Sequence, residues 1–247
     1  MRTQILRFLG VNIAELNLLT SLRRAVIPVN SLQELKKIFK WTENPILARD
    51  DIHDFDYVED VNERRIRDAE SLGLVMRNAK AKKALEIGTS NGAGTALMAA
   101  NAPHTQIYTI NIPPEEIASG AGGILTTIAL EKEKIGAIYR EQGHTNITQI
   151  YANTATWTPD IGKIDVAFID GCHDTKFVIN DTLKVLPSLN PGGFILWHDA
   201  NPELSQVHHW IGDVCRGLDW LIGNGHLPGK LYWLKDSWVC IWQAPEK

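Results

Sequence analysis

At 247 residues, 44% hydrophobic and 22% charged, the chain has room for one α/β domain with an N-terminal extension and the composition of a soluble globular protein. Its net charge is −4, and the only basic clusters, Arg64-Arg65 and Lys80-Ala81-Lys82-Lys83, read as solvated surface, so no nucleic acid is expected as a partner. No apolar run reaches the ~20 residues of a membrane span, and Asn12, Glu15 and Asn17 interrupt the N-terminal apolar stretch, which makes a poor signal peptide. Cys172, Cys215 and Cys240 lie far apart with no C-x-x-C, the pattern of reduced thiols in a cytoplasmic protein and not of disulfides or a zinc site.

In chain order, Ile5, Leu9, Ile13, Leu16 and Leu19 recur at helical spacing and predict an amphipathic helix over 1–24. That helix suits packing on the domain, a homodimer contact or a cover over a site. A second short helix is expected over 31–40, followed by a polar, acidic connection from Trp41 to Tyr57. Residues 1–59 are read as a helical extension and 60–247 as the main domain. Asp60 with Glu63 suggests a capping box, and Ile66, Ala69, Leu72, Met76 and Ala79 form the apolar face of the helix it opens.

A short apolar run then ends in a glycine-bearing loop and a helix-compatible run: Ala84-Leu85-Glu86-Ile87-Gly88-Thr89-Ser90-Asn91-Gly92-Ala93-Gly94-Thr95. This strand, tight turn and helix start opens a nucleotide-type α/β fold. Gly88 permits a sharp turn, Gly92 a close ligand approach, and the free N–H groups of the helix start favour an anionic ligand group. Ser90 stands where a dinucleotide fingerprint needs its second glycine, and Glu86 places a negative charge at the strand end, which suits a cationic ligand better than a pyrophosphate.

Gln106 to Asn111 predicts a second strand. Pro113-Pro114 breaks the chain, and the glycine-rich stretch 118–123 reads as a surface loop or a lid. Leu125 to Tyr139 reads as helix, Ile147 to Tyr151 as a third strand with Ala152-Asn153-Thr154 beyond it, and Ile164 to Asp170 as a fourth, leading into Gly171-Cys172-His173. Asp174 caps the next helix, with Val178, Thr182 and Val185 on its inner face and Pro187 at its end. Asn190-Pro191-Gly192-Gly193 is a turn signal before a fifth strand, Phe194 to Trp197, tipped by His198-Asp199. A helix is expected from Pro202 to about Leu221, with His208-His209 on its surface. Leu231–Leu234 and Trp238–Trp242 then flank Lys235-Asp236-Ser237 as a terminal hairpin. Trp233, Trp238 and Trp242 could stack on a sugar or an aromatic ligand, although alternation suits core packing.

The pattern E-x-G-x-x-x-G over Glu86–Gly92 resembles motif I of the class I S-adenosylmethionine-dependent methyltransferases. Phe168-Ile169-Asp170-Gly171-Cys172-His173 with Pro191-Gly192-Gly193-Phe194-Ile195-Leu196-Trp197-His198-Asp199 is similar to bacterial small-molecule methyltransferases of the cephalosporin-hydroxylase and sugar O-methyltransferase type, and more distantly to the catechol and caffeoyl-CoA O-methyltransferases. The resemblance spans about residues 60–243. It implies a Rossmann-like α/β fold: a seven-stranded sheet with helices on both faces and a terminal antiparallel hairpin. It implies S-adenosyl-L-methionine as cofactor, held by Glu86, Gly88, Thr89, Ser90, Gly92, Asn111, Asn153, Thr154 and Asp170. Asn111 replaces the acid that usually takes the ribose hydroxyls, and Asn153 the acid of a common Gly-Asp-Ser triplet; an amide keeps hydrogen bonding but loses charge assistance. Relatives of this kind often hold a divalent metal, which implies Asp170 and Asp199 as ligands for Mg²⁺ or Mn²⁺. His198 beside them shifts the donor set away from Mg²⁺ and leaves Mn²⁺, Fe²⁺ or no metal open.

The expected activity is methyl transfer from S-adenosylmethionine to a hydroxyl of a small molecule, a sugar, a phenol or another natural-product acceptor. The alternatives are an oxidoreductase on the same scaffold or a non-catalytic binding or assembly protein. Asp170, His173 and His198 are the candidate catalytic residues. His173 is the candidate base, because its offset from the fourth-strand aspartate matches that of a deprotonating lysine in the catechol-type relatives and because imidazole titrates near neutrality.

Overall fold

The computed structural model describes residues 18–47, 59–118 and 129–246, with the main chain alone at 59–65 and 118. In chain order the elements are α1 (Thr20–Ala25), β1 (Val26–Val29), α2 (Leu32–Phe39), α3 (Glu59–Asn78), β2 (Lys83–Ile87), α4 (Ala93–Asn101), β3 (Gln106–Asn111), α5 (Pro114–Ala118), α6 (Ala137–Glu141), β4 (Ile147–Tyr151), β5 (Ile164–Ile169), α7 (Thr175–Val185), β6 (Leu189–Trp197), α8 (His209–Gly223), β7 (Leu231–Leu234) and β8 (Cys240–Gln243). Most of the expected N-terminal helix, the 48–58 connection and the 119–128 loop lie outside the described residues. Among the described residues no helix is long and apolar enough to cross a membrane.

The strands form one sheet in the order β1-β7-β8-β6-β5-β2-β3-β4. β8 alone runs antiparallel to its neighbours. The seven-stranded expectation is corrected to eight, because Val26–Val29, from the extension read as helical, pairs parallel with β7 at the sheet edge. Val26, Ile27 and Val29 are β-branched, which favours the pleated, half-buried surface over a helix.

Period-2 alternation assigns each strand residue to one of two cores. Leu85, Ile87, Ala167, Ile169, Ile195 and Trp197 face α1, α7 and α8 through Leu22, Val178, Val185, Val214 and Leu218. Ala84, Val166, Phe168, Phe194 and Leu196 face α2, α3 and α4 through Leu35, Leu72, Val75, Met76 and Met98. Buried on both faces, β2, β5 and β6 read as near-continuous apolar runs, as parallel strands do. Truncating a fully buried leucine of these layers, such as Leu74 or Leu85, would cost about 2–5 kcal/mol.

Several local expectations are revised. Ile66 is exposed, because the buried stripe of α3 runs instead through Asp68, Leu72, Val75 and Met76. Helix within the described part of 125–139 is confined to α6, whose start is set by Gly136 at φ +70°. The helix expected from Pro202 begins at His209, and the residues before it form turns in which the Asn201 side chain accepts from the N–H groups of Glu203 and Leu204. The turn residues 190–193 sit inside β6 as a bulge: Leu189 pairs with Ile164, while Phe194 pairs with Val166.

Candidate active site

The C-terminal ends of β2, β3, β4 and β5 open into a cleft of about 830 Å³, counting its open mouth. Ligands of parallel α/β sheets lie at this end, where the strand order reverses; here that happens between β2 and β5. The lining includes Gly88, Ser90, Asn111, Asn153, Thr154, Asp170 and His173, all expected from sequence, and also Ile110, Ile112, Cys172 and Phe177, which were not.

The loop after β2 is shaped by close backbone contact. Gly88 has φ +108°, and a Cβ there would lie 2.0 Å from the Asp170 carbonyl oxygen. The glycine is thus required by the neighbouring strand tip as well as by the turn. The Ser90 N–H donates to Asn111 Oδ1 at 3.0 Å, while Asn111 Nδ2 donates to the Ile112 carbonyl at 2.9 Å. The amide that replaces the usual acid therefore spends part of its capacity tying the loop to β3.

Three residues of the expected cofactor set do not line the cleft. Glu86 is 1% exposed and lies on the α2/α3/α4 side of the sheet. It accepts hydrogen bonds from the Thr95 and Thr109 hydroxyls. Burial pushes its carboxyl up to about 8, a rise the two threonine hydroxyls only partly oppose, so at neutral pH it is chiefly protonated and does not supply the negative charge expected of it. Alternation explains the placement: Ile87, one residue on, points to the cleft instead. Thr89 is buried against the Thr109 hydroxyl at 2.7 Å and accepts from Gln149 Nε2 at 3.0 Å. Gly92 leaves room for the crossing segment before α6, since a Cβ there would lie 2.7 Å from Gly136 Cα.

At one end of the cleft, the tips of β5 and β6 bring Asp170, His173, His198 and Asp199 together, with one ligand-type atom of each within 4.8 Å of the others. The His198 N–H donates to the Ile169 carbonyl at 3.0 Å, which sets the two tips side by side. Asp199 adopts φ +52°, a left-handed conformation uncommon for non-glycine residues, although aspartate takes it more readily than most. His173 Nε2 lies 2.8 Å from Asp199 Oδ2 and 3.6 Å from Asp170 Oδ1. His198 Nδ1 lies 3.1 Å from Asp170 Oδ1 and 3.2 Å from Asp199 Oδ2. Trp210 Nε1 donates to Asp199 Oδ1 at 3.3 Å.

These contacts set the charges. Burial opposes protonation of both imidazoles, but the facing carboxylates outweigh it, raising His173 to about 9 and His198 well above its ordinary value. Burial would raise the two aspartates; the histidines instead hold Asp170 below, and Asp199 well below, the usual carboxylate range.

Sequence reading missed Asp68, on α3. Its Oδ2 lies 3.2 Å from His198 Nε2, and its Oδ1 accepts from the main-chain N–H of Trp238. The one sequence signal is an acid sharing a helical stripe with Leu72, Val75 and Met76. Trp210 and Trp238 also flank the site, their ring centroids 6.4 Å apart, with His208 4.7 Å from Trp210.

The strand order, the glycine loop and the cleft at the strand tips define a class I methyltransferase fold. Residues 85–200, a little under half of the chain, match the family model described as a methyltransferase domain. No curated protein sequence matches it significantly. Among solved structures it is similar to an O-methyltransferase of Bacillus cereus in complex with SAH (13% identity, 79% of this chain and 86% of that one, TM-score 0.51). It is similar to a candidate caffeoyl-CoA O-methyltransferase of Staphylococcus aureus (16% identity, 86% and 90%, TM-score 0.51). A third is the SAH-bound methyltransferase PaMTH1 of Podospora anserina (14% identity, 77% and 83%, TM-score 0.50).

Proposed function

We propose that the chain transfers a methyl group from S-adenosylmethionine to a hydroxyl of a small-molecule acceptor. The observation that carries this reading is that Asp170 and His173 belong at once to the cleft lining and to the acid–histidine cluster. A cofactor in the cleft and an acceptor at the cluster would therefore meet at these two residues. The similar O-methyltransferase of Bacillus cereus, the candidate caffeoyl-CoA O-methyltransferase of Staphylococcus aureus, and the SAH bound in two of the three similar structures support the same reading.

Methyl transfer is an in-line displacement, so the protein's work is to align the acceptor oxygen with the sulfonium carbon and to take up its proton. Gly88, Ser90, Asn111, Asn153 and Thr154 hold the cofactor in this reading. Asn153 Oδ1 caps its own turn by accepting from the Ala155 N–H at 3.0 Å, which fixes the loop after β4. His173 is the base. It lines the cleft, whereas both ring nitrogens of His198 face carboxylates, which fixes that ring in place.

The four-residue cluster fits a divalent ion. With both imidazoles neutral it carries two negative charges, and Asp68 behind His198 Nε2 is the carboxylate–histidine pairing that orients metal-bound imidazoles. Asp170, His198 and Asp199 would hold it, leaving His173 free as the base, and a nitrogen beside two carboxylate oxygens suits Mn²⁺ or Fe²⁺ better than Mg²⁺. Such an ion, when bound, lowers the pKa of an acceptor hydroxyl. A cytoplasmic setting, supported by the three free cysteines, and a homodimer through the N-terminal segment, supported by exposed Leu18, complete the proposal.

The test is calorimetry with S-adenosylmethionine, its demethylated product and NAD, followed by mass spectrometry of a hydroxylated small-molecule panel for a gain of one methyl group. Binding of the two sulfur compounds and methyl gain on an oxygen are expected. NAD binding without a response to S-adenosylmethionine would overturn the reading.

A further inference from the structure

We infer that Asp68 is a positioning residue of the methyl-transfer site: it fixes the His198 ring through Nε2 and ties α3 and the terminal hairpin to the strand-tip cluster. The inference rests on the reading of that cluster as the reacting end of the cleft.

Asp68 is 8% exposed, so its carboxylate is nearly withdrawn from water and stabilised by what it touches. Its two oxygens are divided. Oδ1 accepts from the Trp238 N–H, in the turn between β7 and β8, across 170 residues of sequence. Oδ2 lies 3.2 Å from His198 Nε2, across 130 residues. The bond to Trp238 immobilises the carboxylate, and an immobilised acceptor dictates where the imidazole edge points. With Nε2–H donated to Asp68, Nδ1 is the nitrogen left to face Asp170 and Asp199, as the distances of 3.1 and 3.2 Å record. A histidine whose outer nitrogen is held by a carboxylate has one ring orientation and, when it is neutral, one tautomer. Phe168, on the tip of β5, meets the His198 ring edge-on at 6.2 Å and limits tilting.

Three separate parts of the chain thus converge on one ring. α3 supplies the carboxylate, β6 the imidazole, and the β7–β8 turn the N–H that anchors the carboxylate. Asp68 and Trp238 both lie outside residues 85–200, the part that matches the methyltransferase-domain model, so this support is supplied by flanking segments.

Asp68→Asn is the discriminating variant. The amide oxygen can still accept from the Trp238 N–H, so the hairpin tie is kept, while an NH₂ group replaces the acceptor facing His198 Nε2. In ¹⁵N-histidine-labelled protein, with the signal assigned by His198→Gln, the wild type should show a His198 Nε2–H proton in slow exchange with water. Asp68→Asn should lose that resonance. Affinity for S-adenosylhomocysteine should stay within a few-fold, while kcat on any acceptor that gains methyl in the panel falls about 10- to 100-fold with the donor KM unchanged. Asp68→Ala should lose the resonance and also lower the melting temperature. A resonance retained in Asp68→Asn overturns the inference, even if no acceptor is found. So does a loss of S-adenosylhomocysteine affinity in parallel with kcat, which would make Asp68 a fold-holding residue only. Failure to bind S-adenosylhomocysteine in the wild type would instead count against the proposed activity.

Discussion

Gly88 and Asp170 meet backbone to backbone at the tips of β2 and β5, so closely that a Cβ on the glycine would lie 2.0 Å from the aspartate's carbonyl oxygen. The Asp170 N–H donates to the Ile87 carbonyl at 2.8 Å, which locks the approach. Gly88→Ala should therefore displace the strand tip that carries Asp170 and also strain a backbone at φ +108°. Loss of S-adenosylhomocysteine binding by calorimetry is expected, with a stability loss of more than about 1 kcal/mol by denaturant unfolding. Unchanged binding would show that the contact is not needed for the cleft.

Glu86 gives a pH dependence of stability with a defined sign. Its carboxyl rises from 4.5 to about 8 on folding. The folded state therefore holds a proton that the unfolded state has released between these values. The contribution is complete below pH 4.5 and is lost as pH rises to about 8, at about 1.4 kcal/mol per pH unit. Glu86→Gln, which cannot ionise, should show a flatter stability profile over that window in urea titrations at several pH values. Parallel profiles for the two proteins would contradict the buried, protonated carboxyl.

His173 carries a prediction about turnover. Asp170 and Asp199 hold its ring protonated at neutral pH, with its pKa raised to about 9. A base must be neutral to accept a proton, so in metal-free protein turnover should climb with pH and level off near 9. His173→Ala should reduce kcat on the order of 10²–10⁴-fold while S-adenosylhomocysteine affinity changes only a few-fold. Retention of turnover in His173→Ala, with its loss in His198→Ala, would move the base to the tip of β6.

The cluster should take one divalent ion per chain. Exhaustive chelation followed by titration calorimetry with Mn²⁺ is expected to give one site, abolished in Asp199→Asn. A parallel assay should show turnover reduced, not abolished, on chelation and raised again by Mn²⁺. Full activity after chelation, with no Mn²⁺ heat, would leave the two aspartates as orienting groups for His173 and His198.

Lys184 reaches back from α7 to the main-chain carbonyls of Thr154, Ala155 and Trp157. It fastens the loop that presents Asn153 and Thr154 to the cleft. Lys184→Met keeps the aliphatic stem but removes all three donors. The dissociation constant for S-adenosylhomocysteine should rise several-fold, with Tm lowered by only a few degrees, as read by calorimetry and thermal unfolding. An unaltered dissociation constant would separate this loop from cofactor binding.

The sequence by itself determined the repeating strand–helix order, the glycine loop after β2, the terminal hairpin, and the identity of the acids and histidines at the tips of β5 and β6. These are local properties. Alternation sorts Leu85 and Ile87 from Ala84 and Glu86, helical spacing marks α7, and Gly88 announces a turn. A parallel α/β sheet then places every strand's C-terminal end on one edge, which is why Asp170, His173, His198 and Asp199 could be nominated together before any distance was known.

Tertiary structure alone decided the rest. Glu86 looks like a cofactor contact in its motif, yet burial removes its charge against the opposing pull of the Thr95 and Thr109 hydroxyls, a balance that only the folded sheet sets. Val26–Val29, whose β-branched residues suit a strand, became an eighth one because β7 offered an open edge, which only the folded sheet provides. Asp68 reads as an acid misplaced on an apolar stripe until the fold sets His198 and Trp238 against it. Local pattern encodes which way a side chain points along its own element. What it meets there depends on packing between separate elements, some more than a hundred residues apart, and that packing sets the desolvation, charge pairing and ring orientation on which the chemistry depends.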